Sequence, residues 1–170
     1  MEAEELKEMK PVKFGFYYGS IFGGIAFVYH LLAQYLGFNT TFFYGLMYSF
    51  LVLFANLWVC KKYISLRDDS NGESFSTLLK TGTIFSLTIS FFYLVFTFAK
   101  IEFIDVNFMN TLIELYEELI AQMNMPEMSL EGDVSKSLYI TFLVTNFIGD
   151  FLGNMFYALC ISFIFKNRKF

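Results

Sequence analysis

The sequence predicts an all-α, polytopic membrane protein, with four transmembrane helices in one domain over residues 1–170 and an amphipathic extracytoplasmic helix between the third and fourth. Three observations carry this prediction. Hydrophobic residues make up 56% of the chain and charged residues 16%, well under the roughly 25% charge of an ordinary soluble domain. The apolar residues gather into runs near 14–36, 42–60, 78–99 and 138–165, and a bilayer core takes about 20 helical residues. The charges are sorted by side, which is how a membrane chain encodes its orientation.

The elements follow in order. Met1 to Lys13 sets Glu2, Glu4, Glu5 and Glu8 against Lys7, Lys10 and Lys13 ahead of the helix-limiting Pro11, and reads as a solvated arm. The first span is too long for a signal-peptide core and has no small-residue cleavage pattern before Gly37, so it reads as retained. Gly15, Gly19 and Gly23 recur every fourth residue along it, a small surface that lets another backbone approach closely, in this chain or in a second copy. The second span closes on Lys61, Lys62, Tyr63 and Arg67, with Trp58 and Tyr63 suited to the interfacial belt. Lys80 lies just inside the third span, where it snorkels toward head groups or joins a buried pair. Thr83, Ser86, Ser90 and Thr97 give that span a polar face.

In residues 106–124, Met109, Leu112, Ile113, Tyr116, Leu119, Ile120 and Met123 follow helical spacing, with Glu114, Glu117 and Glu118 on other faces. Pro126 and Gly132 then return the chain to the last span. Lys and Arg cluster at the amino terminus, after the second span and at the carboxyl terminus, whereas Lys100 and Lys136 stand alone around an acidic segment. The positive-inside rule therefore puts both termini in the cytoplasm and the acidic helix outside, as four spans also require. That acidic surface is either solvated or docks a basic partner.

The last span holds the exception to this pattern. Asn146, Asp150 and Asn154 recur every fourth residue, with Gly149 and Gly153 one position earlier, so one face is polar and small. An acid at the centre of a membrane helix costs about 2.5 to 3.5 kcal/mol on insertion scales, so it normally turns toward other protein groups. At about 1.5 Å per residue Asp150 falls near the midplane, with Ser86, Ser90, His30 and Asn56 at comparable depths. Two readings stay open. Asp150, Asn146, Asn154, His30, Ser86 and Ser90 form a hydrogen-bonded cluster that fixes helix register, or they line a polar cavity that binds a cation or proton. Gly149 and Gly153 would permit close helix packing beside the acid.

Met123, Met125 and Met128 are either soft Cu(I) ligands or packing residues. Cys60 and Cys160 read as buried inert thiols, with no disulfide framework and no metal site. The pattern at Asn39 to Thr41 matches a glycosylation acceptor, but it sits in too short a connection to carry weight. One histidine, no paired cysteines and no glycine-rich phosphate loop leave no recognisable reaction centre, so neither an enzyme nor a cofactor is expected. The partners expected are the lipid bilayer and either a second copy or another membrane protein, and a nucleic acid is not expected.

Lys13-Phe14-Gly15-Phe16-Tyr17-Tyr18-Gly19, then Lys61-Lys62-Tyr63 with Arg67, then Gly72 through Gly82, together resemble a Bacteroidota membrane family catalogued as domain of unknown function 4199. Where family members often carry a proline after an Ile-Asp pair, this chain has Val106 after Ile104 and Asp105. The resemblance implies a Gram-negative inner membrane and an accessory role beside a polyprenyl-phosphate glycosyltransferase, and brings no catalytic residues. Two functions follow as expectations: a non-catalytic helical-bundle component of a membrane complex, or a small ion- or proton-coupled transporter or flippase with Asp150 as its carboxylate.

Overall fold

The computed structural model describes residues 3–38, 41–67, 74–105, 107–122 and 133–166. Its elements are α1 (Ala3–Glu8), α2 (Pro11–Tyr35), α3 (Phe42–Ser65), α4 (Phe75–Ala99), a π-helical turn over Lys100–Ile104, α5 (Phe108–Gln122) and α6 (Asp133–Phe165), with no strand among the described residues. Among the described residues four helical stretches are long and apolar enough to cross a membrane: Pro11–Tyr35, Phe42–Ser65, Phe75–Ile104 and Lys136–Phe165. The chain is an all-helical integral membrane protein.

Local chemistry sets where these helices begin and end. Pro11 sits in the first turn of α2, where its missing N–H is no loss, so the helix starts ahead of the apolar run. At its other end Gly37 takes φ 74°, and the Gly37 and Phe38 amides bond the carbonyls of Gln34 and Ala33, which satisfies end carbonyls. The Thr41 hydroxyl accepts from the Tyr44 amide to open α3, and the Ser74 hydroxyl accepts from the Thr77 amide to open α4.

Central in the bundle, α4 packs against α2 on one side and α6 on the other, and α3 lies against α6. The first-span glycines make the α2 contact. A Cβ on Gly15 would stand 2.4 Å from the Thr81 carbonyl oxygen, one on Gly19 2.7 Å from the Thr88 Cβ, and one on Gly23 2.4 Å from the Phe92 ring. These glycines thus meet a helix of the same chain. Gly82 plays the corresponding part against Ala158 of α6, at 2.7 Å. In lipid, where burying apolar surface gives no net drive, such backbone approach supplies the dispersion contacts that hold helices together.

The residues left outside are apolar: Phe16, Phe54, Phe91, Phe156 and Phe163 are all more than half exposed on the bundle surface, a display that suits lipid and not water. Inside, Phe14 packs on Tyr18 at a tilt and on Tyr63 edge to face, with ring centroids 4.7 and 5.0 Å apart, beside Val52, Val59, Leu78 and Phe85. Lys62 lies over the Trp58 ring at 4.6 Å.

Two expectations need correction or completion. The amino-terminal lead is not simply a solvated arm: α1 folds back, Met9 is buried, and the Arg67 guanidinium donates to the Met9 carbonyl at 2.7 Å while stacking on Tyr63. A buried thioether and a charge-assisted bond outweigh solvation of so short a segment. Between the third and fourth spans, α5 carries exposed Glu114, Glu117 and Glu118 and half-buried Met109, Leu112 and Ile113, yet Leu115 and Tyr116 are exposed too. Tyr116 keeps the apolar side on which its spacing put it, but it is 45% exposed there. Met123, Met125, Met128, Asn39 and Thr40 lie outside the described residues.

Candidate functional site

Asp150 is the junction of three helices. Its Oδ2 accepts from the Ser90 hydroxyl of α4 at 2.6 Å, from the Asn154 amide one turn along α6 at 2.8 Å, and from the Tyr48 hydroxyl of α3 at 3.3 Å. The Asn154 amide also reaches the Ser90 Oγ at 3.3 Å. Ser90 and Asn154 are buried and Asp150 is half-buried, so water competes little with these donors. The three bonds to the acid all fall on one carboxylate oxygen. Among the described residues none donates to Oδ1, and Asp150 lines a cleft of about 410 Å³ between α3 and α6.

The cleft brings His30 to the same place. The ring is buried, its Nδ1 hydrogen-bonds with the Tyr44 hydroxyl, and Tyr48, Tyr93 and Phe96 pack round it at centroid distances of 4.6, 5.0 and 4.9 Å. Its Nε2 is buried without a hydrogen bond among the described residues. Tyr48 joins the two groups, with its ring on His30 and its hydroxyl on Asp150. The Tyr29 hydroxyl donates to the Tyr44 carbonyl at 2.9 Å, which fixes the mouth of the cleft from α2.

The expected cluster therefore separates. Asp150, Asn154 and Ser90 are hydrogen-bonded together, and His30 joins them through Tyr48. Asn146 lines the cleft, but its amide donates to the Phe142 carbonyl of its own helix at 2.8 Å and does not reach the acid. Ser86 belongs elsewhere: it accepts from Asn56 at 3.5 Å, and the Asn56 carbonyl accepts from the Cys60 thiol at 3.5 Å, a buried patch one turn away from Asp150. Gly149 and Gly153 also need correction. Both are exposed, and a Cβ added to either meets nothing within 4 Å, so they pack against no described residue. Their face of α6 turns out of the bundle because Asn154, Ala158, Ile161 and Ser162 take the inward one.

Tyr44, Tyr48 and Tyr93 are the members that the sequence reading missed. Their signal was available, since Tyr44 and Tyr48 stand one turn apart on α3 and Tyr93 follows Ser90 by three residues, and a hydroxyl inside a span needs a partner. Among the described residues no three His, Cys, Asp or Glu side chains gather to hold a metal ion. Cys60 is buried and Cys160 half-buried, both as thiols. Chemically, the cleft offers an occupant one carboxylate oxygen and, deeper, an imidazole, between tyrosine rings.

No curated protein and no solved structure matches this chain. The family model described as a protein of unknown function, DUF4199, matches residues 17–167, a span that takes in the Lys61–Tyr63 and Gly72–Gly82 stretches but begins inside the first motif, and the chain belongs to that family.

Proposed function

We propose that the protein is a non-catalytic component of a membrane assembly, and that Asp150 is the residue a partner helix engages. The observation that carries this reading is the Asp150 Oδ1, unbonded among the described residues at a cleft edged by glycine. Gly45 of α3 and Gly149 of α6 line the cleft, and Gly153 continues the small surface one turn on; all three are exposed, with open space where a Cβ would stand. A neighbouring helix can come close only where side chains are absent, and an intramembrane carboxylate rewards a partner that brings a donor or a cation. This chain has no Lys or Arg within the middle of a span, so a second copy would not supply the cation, and a different membrane protein fits better. A polyprenyl-phosphate glycosyltransferase heads the candidates.

The non-catalytic reading rests on how the cleft's groups are committed: Tyr48, Ser90 and Asn154 all donate to Asp150, and the His30 Nδ1 is held by Tyr44. The family resemblance implies an inner membrane, and the charge pattern favours both termini in the cytoplasm. Transport of a proton or cation through Asp150 is the second reading, favoured by the His30 Nε2, which has no hydrogen bond among the described residues in the same cleft.

A photocrosslinking residue at Gly149 in native membranes tests the assembly. The expected result is an adduct with one polypeptide, reduced severalfold by Asp150→Ala. The same probe at Val28, which is 53% exposed on α2, should give lipid adducts alone. Lipid adducts alone at Gly149, or a polypeptide adduct indifferent to Asp150→Ala, would refute the proposal.

A further inference from the structure

On the opposite flank the bundle carries a second recess, of about 750 Å³, that the Asp150 cleft does not involve. Its walls are apolar: Phe16 of α2, Leu87 and Phe91 of α4 and Phe147 of α6. Phe16 and Phe91 are 60% and 56% exposed, so the groove lies open to whatever surrounds the bundle. One end is different, because Lys10 and Lys13 line it there. Among the described residues no carboxylate lines the groove; Glu5 and Glu8 lie across the same lysines in a separate recess.

The direction of the groove follows from helix register. Gly15 meets Thr81 and Gly23 meets Phe92, so α2 and α4 run parallel, and exposed Lys80 comes level with Lys13. From that level to Phe91 the groove descends eleven residues of α4, roughly 16 Å at about 1.5 Å per residue, into the apolar depth of the bundle. A slot of this kind, greasy along its length and cationic at its interfacial end, is complementary to a molecule with an apolar chain and an anionic head.

We propose that this groove holds one acyl chain of an anionic phospholipid, with the phosphate on Lys10 and Lys13 and Lys80 beside them. Lysines at such a depth extend their alkyl stems along apolar surface and place the ammonium at head-group level, where each is worth about 1 kcal/mol toward an anionic lipid. Two together correspond to a preference on the order of thirtyfold over a zwitterionic lipid at low salt. The proposal is independent of any partner at Asp150.

Quenching by lipids brominated along the acyl chain tests it. Trp58→Phe removes the chain's single tryptophan and Phe91→Trp puts a reporter on the groove wall. In mixed vesicles, brominated phosphatidylglycerol should half-quench the reporter at a mole fraction about tenfold or more below that for brominated phosphatidylcholine. Lys10→Gln with Lys13→Gln should bring the two lipids level while phosphatidylcholine quenching and helical circular dichroism stay unchanged, which separates loss of the site from loss of the fold. Equal quenching with both lysines present would mean ordinary surrounding lipid and would overturn the proposal. So would no quenching by either lipid, since protein would then cover the groove, and so would a preference that survives both substitutions.

Discussion

Replacing Asp150 by Ala and by Asn probes what joins the helices at the polar site. Ala removes the acceptor of bonds from Ser90, Asn154 and Tyr48. The Asn154 bond stays within α6, so the cost to helix association comes from Ser90 on α4 and Tyr48 on α3. Hydrogen bonds between membrane helices average about 0.6 kcal/mol and reach about 1.7. The Ser90 bond is short, at 2.6 Å, and its donor is buried, which puts it near the upper figure, while the Tyr48 bond at 3.3 Å belongs near the average or below. Asp150→Ala should therefore destabilise the bundle by roughly 2 kcal/mol. Asp150→Asn keeps an acceptor oxygen of the same reach, holds the Ser90 bond, and should cost under about 1 kcal/mol.

The assay is reversible unfolding in mixed micelles, titrating dodecyl sulfate into dodecyl maltoside and following the circular dichroism of the helices. Ser90→Ala completes a double-mutant cycle with Asp150→Ala, with a coupling of about 1 kcal/mol expected. Were Ala to unfold at the wild-type midpoint, or Asn to be as damaging as Ala, the carboxylate would not be joining α4 to α6 through Ser90, and the reasoning would fail.

Two further outcomes follow from the packing. Gly15→Ala pushes a methyl to within 2.4 Å of the Thr81 carbonyl and should destabilise by about 1 to 3 kcal/mol in the same assay, whereas Gly24→Ala meets nothing within 4 Å and should be neutral or stabilise by up to about 1 kcal/mol. Arg67→Gln removes the bond to the Met9 carbonyl and the stacking on Tyr63, so α1 should become cleavable by trypsin at Lys7 severalfold faster, with the mixed-micelle midpoint nearly unchanged.

The four spans were legible because a bilayer makes one demand, about 20 apolar residues with their backbone bonds satisfied internally, and the sequence meets it four times over. The docking of α1 was not legible. Six helical residues carry no periodicity that stands out, and what seats them is a bond between Met9 and Arg67, 58 positions apart in the chain. Pairings of that range are written in no local pattern. The same holds for Tyr48, whose hydroxyl meets a carboxylate 102 residues away. A span tyrosine announces that it needs a partner but not which one.

The glycines show where periodicity ends as a guide. Gly15, Gly19 and Gly23 share a spacing of four with Gly149 and Gly153, and the first set is pressed against α4 while the second faces open space. Spacing only says that a helix face is small. Whether that face turns inward depends on what the other faces carry. On α2 the competing faces hold exposed Phe16, Ile25 and Val28, which suit lipid, so the glycines turn in. On α6, Asn154 finds Ser90 of α4 inside the bundle and takes the inward position that the glycines would otherwise hold, with Ala158, Ile161 and Ser162 buried along the same side. A hydrogen bond left unmade in lipid costs several kcal/mol, more than a close helix contact gains, so polar need outranks small size in deciding which side of a membrane helix is the inside. The outward turn of Gly149 and Gly153 is thus imposed by Asn154, and it carries Asp150, the residue after Gly149, to the margin of the bundle, where the acid is held by Ser90, Tyr48 and Asn154 and lines the cleft.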